Sequence, residues 1–513
     1  MREVAFTRCI WGTVRGRGGV FAHVAEAFAI VSLLAMVSGC GTVHSSQPPA
    51  HEGLEPTAFV PVEPISWTTP QGVTVVYLPD EELPLMSVSI TFPGGTYRAQ
   101  DPLAARVMGA LLRRGGAGGF AREEIDRELR ERSAMIESSA DGEAITLSAS
   151  CLKGDEARIS ELMRLMVEQP SFAEEEFALI KKQLREQVVR RKDDPDTIAG
   201  IVFGQLLFGN RSPYIDTTTL AKIDNLKRAD VLREHRALIG SSGAIVAVSG
   251  DTTKPEVETL VGQLIDGIPW RPRPVVAMPF PAVSDKVRPG IYFVEGPFSQ
   301  ATILMGQLGV PRFPPDWYDI LLFNDIFGSG SMSSRLFSEI RTKRGLAYVT
   351  AGGISPGVVR GKNYVYVQTK SASVGEAIDA SLGVVTQLQE APPPVDEVED
   401  RRRALINSFV FANKSPADIV ARRAAFLLQH YPLDYDRLFV DNLEKVTPEG
   451  IQRVARDRWD PNKLVVVVVG DKAARESLRQ SQFVRDAAVR SGGKSGITEL
   501  RFHDIGMGEG IRR

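Results

Sequence analysis

Two runs near residue 72, "GVTVVYLPD" and "MSVSITFPGG", alternate apolar and polar positions with the two-residue period of strands. The period then changes. Residues 102–114, 122–137 and 156–168 place their apolar side chains at three- and four-residue spacing, which predicts helices. The same succession returns after residue 290, with "GIYFVEG" and "ATILMGQLGV" as strands and "PDWYDILLFNDIFG" as a helix. Strands followed by runs of helices, twice over, predict an α+β protein in which helices pack on mostly antiparallel sheets.

The two stretches look related. "KIDNLKRADVLREHRALIGSSGAIVAVSGD" (222–251) lies over "NLEKVTPEGIQRVARDRWDPNKLVVVVVGD" (442–471) without a gap, at an offset of 220. Ile223 falls on Leu443, Leu226 on Val446, Val231 on Ile451, and Gly250-Asp251 on Gly470-Asp471. Each copy reads as a helix, a buried strand and a turn. Two ordinary helix–strand units can match by chance, but the regular offset and a Pro-rich stretch between them (269–290) favour duplication. The chain therefore divides into a first domain at 64–270, a linker at 271–288, a second domain at 289–475 and a tail at 476–513.

Composition adds little to this until the N-terminus. At 513 residues the chain exceeds what one core organises, and 61 basic against 63 acidic residues leave no field for nucleic acid. Arg2, Arg8, Arg15 and Arg17 precede an apolar run from Ala27 to Val37 that is too short to span a bilayer but fits an export signal. It ends in Val37-Ser38-Gly39-Cys40, which resembles the lipobox of bacterial lipoproteins. That resemblance implies a signal peptide at 1–39, a lipidated Cys40, and a flexible Pro- and Ser-rich tether at 40–63. Gly41 after the cysteine favours the outer membrane, facing the periplasm. A buried helix with an incidental cysteine is the competing interpretation. With Cys9 removed and Cys40 acylated, only Cys151 remains, so the mature chain has no internal disulfide.

Hydrolytic chemistry is conspicuously missing. Of six histidines, His23, His44, His51 and His503 lie in the signal, tether and tail, which leaves His235 and His430 far apart, and neither HExxH nor HxxEH occurs. Ser150 and Lys153 satisfy S-x-x-K, but the companion motifs are absent. "DDPD" at 193–196 reads as a solvated helix end rather than a cation site.

One dense stretch remains, "GSMSSRLFSEIRTKRGLAY" at 330–348. Taken alone, Arg335 reads as a solvated helix residue and Tyr348 as a strand aromatic, while Gly328 and Gly330 suit a tight turn and close approach to a sheet. The stretch resembles the M16 (pitrilysin/insulinase, mitochondrial-processing-peptidase-like) peptidases, and the opening strands and both "GD" strand ends support the likeness over roughly residues 64–475. The resemblance implies two homologous M16-type domains. An active member carries HxxEH on the helix after its opening strands; here Ala105, Met108 and Gly109 stand at the two histidines and the glutamate, and Glu186 or Gln187 at the later carboxylate. By that resemblance the zinc site is degenerate and this chain holds no cofactor.

In two-chain bacterial members the partner subunit supplies zinc, while an arginine and a tyrosine come from the S-R-L and G-L-A-Y elements. Arg335 and Tyr348 are then the catalytic and substrate-binding pair. The implied partners are a zinc-bearing M16 subunit, a peptide or unfolded substrate, and the membrane through Cys40. The rival expectation is an inert M16-fold module that binds or scaffolds peptides.

Overall fold

Six strands from the first half form one sheet: β1 (Ile65–Thr68), β2 (Thr74–Pro79), β3 (Leu85–Pro93), β4 (Met135–Ala140), β5 (Ala144–Leu152) and β6 (Ile245–Gly250). Six from the second form another: β7 (Gly290–Glu295), β8 (Gln300–Leu308), β9 (Ala347–Ser355), β10 (Lys362–Lys370), β11 (Val465–Gly470) and β12 (Ile497–Leu500). The computed structural model describes residues 61–240, 243–270, 279–284, 286–411, 413–490 and 496–500. The signal segment, Cys40, nearly all of the tether, part of the linker and the end of the tail lie outside the described residues. Among the described residues no helix is long and apolar enough to cross a membrane.

The strand orders are β1-β2-β6-β3-β5-β4 and β12-β7-β11-β8-β10-β9. In each, the strand before the "GD" turn runs parallel to the first long strand and antiparallel to the second, as β6 does to β2 and β3, and β11 to β7 and β8. The repeat is kept in register. Ile245 to Val465 and Gly250 to Gly470 are both steps of 220, and the preceding helices Arg228–Leu238 and Pro448–Arg458 keep the same step. The outermost strands differ in origin, because β1 comes from the N-terminal side and pairs antiparallel, whereas β12 comes from residues read as a tail and pairs parallel to β7.

The helix at Pro102–Arg114 forms as its sequence demands. Asp101 accepts from the Leu103 and Ala104 amides, Pro102 takes the first helical position, and Arg113 and Arg114 end it. The expected helix at 122–137 is shorter. It stops at Glu131, Ser133 turns with φ 50°, and Met135–Ala140 alternates as β4. Six residues of strand are too few for the period to stand out beside an amphipathic helix.

Each sheet has its own helices on one face and a helix from the other half on the opposite face. Pro195–Phe208, from the first half, sets Ile198, Val202, Phe203 and Leu206 against Tyr292, Val294, Val465, Val467 and Val469 of the second sheet. Pro416–Gln429, from the second half, sets Val420 and Ala424 against Val76, Ile245 and Ala247 of the first. Asp196 accepts a hydrogen bond from Thr302 at 2.6 Å. A helix apolar on nearly every side is stable only when sheet covers it, which this exchange provides.

Candidate functional site

The segment from residue 317 to 355 is irregular where the first half is regular. An α-helix at Trp317–Asn324 passes into a π-helical turn at Asp325–Ser329, then a 3-10 turn at Ser331–Ser333, then a second π-helical stretch at Phe337–Lys343, before β9 begins at Ala347. Such insertions widen a helix and collect at functional positions. Gly328 permits close approach to the sheet, since a Cβ there would lie 2.6 Å from the Gly352 amide nitrogen of β9. Gly345, at φ 63°, takes the left-handed turn that releases the chain into the strand.

Tyr348 owes its display to the strand. β9 is the last strand of its sheet, and its pairing with β10 jumps from Ala347↔Thr369 to Val349↔Gln368. Tyr348 is the extra residue in that bulge, and bulges re-aim side chains. Tyr348 is 72% exposed. The Arg341 guanidinium stacks 4.9 Å from the Tyr348 ring and 4.9 Å from that of Phe337. Arg341 Nη1 also donates to the Tyr348 carbonyl at 3.0 Å. One arginine thus holds both ring and backbone.

Arg335 faces elsewhere. Its Nε donates to Glu397 Oε1 at 3.0 Å and its Nη2 to Oε2 at 2.5 Å, a two-pronged pair with each side chain about three-quarters covered (22% and 26% exposed). Glu397 belongs to the helix Val395–Phe411. One turn along, Arg401 Nη2 donates to the Ser333 carbonyl at 2.9 Å and Nη1 to its hydroxyl. Arg401 Nε lies 3.9 Å from Asp325 Oδ2, and burial pushes the Asp325 carboxyl above its usual range while Arg401 pulls it back. No hydrogen bond or ring stack joins Arg335 to Tyr348 among the described residues. In the sequence Arg341 stands out only as part of the 330–348 string, because a stack on a tyrosine seven residues further on depends on the bulge.

The positions expected for metal ligands are packed shut. Ala105 and Met108 have no exposed surface and belong to the first half's core. At Gly109 a Cβ would lie 2.5 Å from Ala140 Cβ and 2.6 Å from its nitrogen. The seam is stitched, with the Ser138 hydroxyl donating to the Gly109 carbonyl at 2.5 Å and Arg113 Nε donating to the Ile136 carbonyl at 2.9 Å. Glu186 and Gln187 are exposed on the helix Glu174–Arg190. No group of three or more His, Cys, Asp or Glu residues placed to hold a metal occurs among the described residues.

The other candidate groups have structural partners. Lys153 pairs with Asp251 at 2.6 Å. Burial pushes the Cys151 thiol up to about 12, which keeps it protonated and unreactive at neutral pH. Asp194 caps the exchanged helix by accepting from the Asp196 and Thr197 amides.

Comparison with known proteins agrees with this geometry. The family profile described as "Peptidase M16 inactive domain" matches residues 225–405. The chain is 21% identical over 415 residues to the "Non-peptidase homolog YmxG" of Helicobacter pylori, covering 78% of this chain and 92% of that one. A crystal structure of a "peptidase M16 inactive domain" from Pseudomonas fluorescens superposes with a TM-score of 0.73 at 24% identity, over 80% of this chain and 99% of that one. The periplasmic protease PqqL from Escherichia coli shares the fold with a TM-score of 0.67 at 15% identity, over 81% of this chain and 46% of PqqL. The profile match over residues 225–405, the non-peptidase relative and the shared two-sheet fold make the chain similar to inactive-type M16 proteins.

Proposed function

We propose that this chain is the non-zinc subunit of a two-chain M16-type peptidase, membrane-anchored through Cys40 and acting in the bacterial envelope. The observation that carries the reading is the contrast between a sealed metal position and an openly displayed tyrosine. Gly109 is pressed against Ala140, whereas Tyr348 stands out of a bulge with Arg341 on its ring. The partner would supply zinc and its activated water. In this chain the Tyr348 hydroxyl hydrogen-bonds the oxyanion formed when water attacks a peptide carbonyl, and Arg335 offers Nη1 to the substrate backbone. Arg341 keeps the phenol in place and sets its own positive charge beside the ring. The substrate is a peptide or unfolded segment in extended form.

Co-expression with a zinc-bearing M16 chain and a quenched peptide tests this. Activity is expected only in the pair, to vanish with a chelator, and to fall about a hundredfold in kcat on Tyr348→Phe, the loss expected for one oxyanion donor. Unchanged rates in both Tyr348→Phe and Arg335→Ala pairs would overturn it. The second reading, an inert peptide-binding lipoprotein, draws on the two Arg335 donors already engaged by Glu397. It predicts that peptide binds this chain alone and that no partner confers cleavage.

A further inference from the structure

The arginine of the proposed pair is not free to swing. A guanidinium offers five N–H donors in a rigid plane, so fixing two of its nitrogens fixes the direction of the third. Glu397 takes Nε and Nη2 of Arg335 side-on, at 3.0 Å and 2.5 Å, and Nη1 has no hydrogen bond among the described residues. The same helix face holds the turn from which Arg335 springs, through Arg401 on Ser333. Ser333 is further tied to the Gly330 carbonyl at 3.0 Å, and the Ser334 hydroxyl accepts from the Phe337 amide at 3.4 Å. The turn and the guanidinium are therefore anchored to one rigid element, the helix Val395–Phe411, some sixty residues away in sequence.

We propose that Glu397 is a positioning residue, which fixes the Arg335 guanidinium so that its remaining donors, on Nη1 and the far side of Nη2, are presented to a peptide carbonyl. This rests on the reading of Arg335 given above. An arginine released from such a pair keeps its charge and loses its aim. Misplacement on the ångström scale costs about ten- to a hundredfold in rate. The carboxylate itself never meets the substrate, so its effect passes entirely through Arg335.

The experiment is a double-mutant cycle in the active pair with the zinc-bearing chain. Glu397→Gln is expected to lower kcat/KM about tenfold or more, Glu397→Asp to restore most of it, and Glu397→Gln added to Arg335→Ala to cost nothing further. The NMR signal of the Arg335 Nε–H is expected to be slow to exchange in the wild-type chain and fast in Glu397→Gln. If Glu397→Gln lowers activity equally with and without Arg335, the carboxylate serves only the fold and the inference is overturned. If Arg335→Ala lowers activity while Glu397→Gln does not, the inference fails and the function stands. If Arg335→Ala leaves the rate unchanged, the role given to Arg335 fails and the positioning role with it.

Discussion

Behind the first sheet a helix runs unbroken from Pro102 to Arg114; behind the second, the matching stretch leaves α-helical geometry after Asn324 and wanders through two π-helical turns before reaching its edge strand. Both halves close the seam between that helix and the edge strand with a glycine. Gly109 packs on Ala140 of β4 and Gly328 on Gly352 of β9. Both stitch it with a polar side chain, Ser138 to the Gly109 carbonyl and Asn324 to the amide and carbonyl of Ile354. Past the seam the two halves diverge. The first half carries on as regular helix and buries the face that metal ligands would need. The second half uses irregular backbone to push Tyr348 and Arg341 outward. On one shared frame, the first half has become a wall and the second a display.

The largest effect is expected where the halves exchange helices. Phe203 is 1% exposed and Val420 3%, each on the other half's sheet. Phe203→Ala should destabilise by about 3 to 5 kcal/mol and Val420→Ala by about 2 kcal/mol. Because each helix covers the partner sheet, both variants should lower the protection of β6 and β11 together in hydrogen exchange under denaturant. Loss confined to one sheet would show that the halves fold independently and that the exchange is only packing.

Restoring the ligands in the wall is next in size. Gly109→His must displace Ala140, and overpacking of this kind costs about 1 to 3 kcal/mol, sometimes more. The triple variant Ala105→His, Met108→Glu, Gly109→His should melt well below the wild type, and added zinc should not raise its Tm. A folded triple variant carrying one zinc per chain by elemental analysis would show that the seam can open, and the contrast between wall and display would narrow.

Much of this frame is legible in the sequence. The strand periods, the 220-residue step and the α+β class follow from apolar spacing, because buried faces impose it on every element. The missing histidines and the intact 330–348 string point to the M16 likeness. The details of the site are not legible for identifiable reasons. The bulge at Tyr348 depends on the register of β10, the Glu397 clamp joins residues 62 apart, and the helix 195–208 reads as buried without saying on which sheet. The turn at Ser133 that ends a helix early depends on one positive φ. Arg335 stays as a proposed contact to substrate, now with a named partner, and Arg341 joins it through the stack on Tyr348.

The smallest expected effect distinguishes the two copies of the repeat helix. At the 220-residue step, Glu234 and His235 correspond to Val454 and Ala455, so the first half has a buried carboxyl and a half-buried imidazole where the second buries two apolar side chains. Glu234 accepts from the Asp101 amide at 3.0 Å, steadying the start of the wall helix, and His235 Nε2 contacts the Val167 carbonyl at 2.8 Å. Burial pushes the His235 imidazole below its ordinary value of 6.5, despite the opposing pull of the Val167 carbonyl. Below about pH 6.5 the unfolded chain therefore takes up a proton that the folded chain refuses, and stability falls as pH drops through that point until the lowered folded value is reached. Burial raises Glu234, which works in the opposite sense, so the histidine is isolated by difference. His235→Gln can keep a donor to the Val167 carbonyl and removes the titration. Urea midpoints of wild type and variant should diverge between about pH 7 and pH 5, with the wild type falling further. Parallel curves would mean that His235 takes its proton in place, leaving Glu234 as the titrating difference between these paired positions of the two copies.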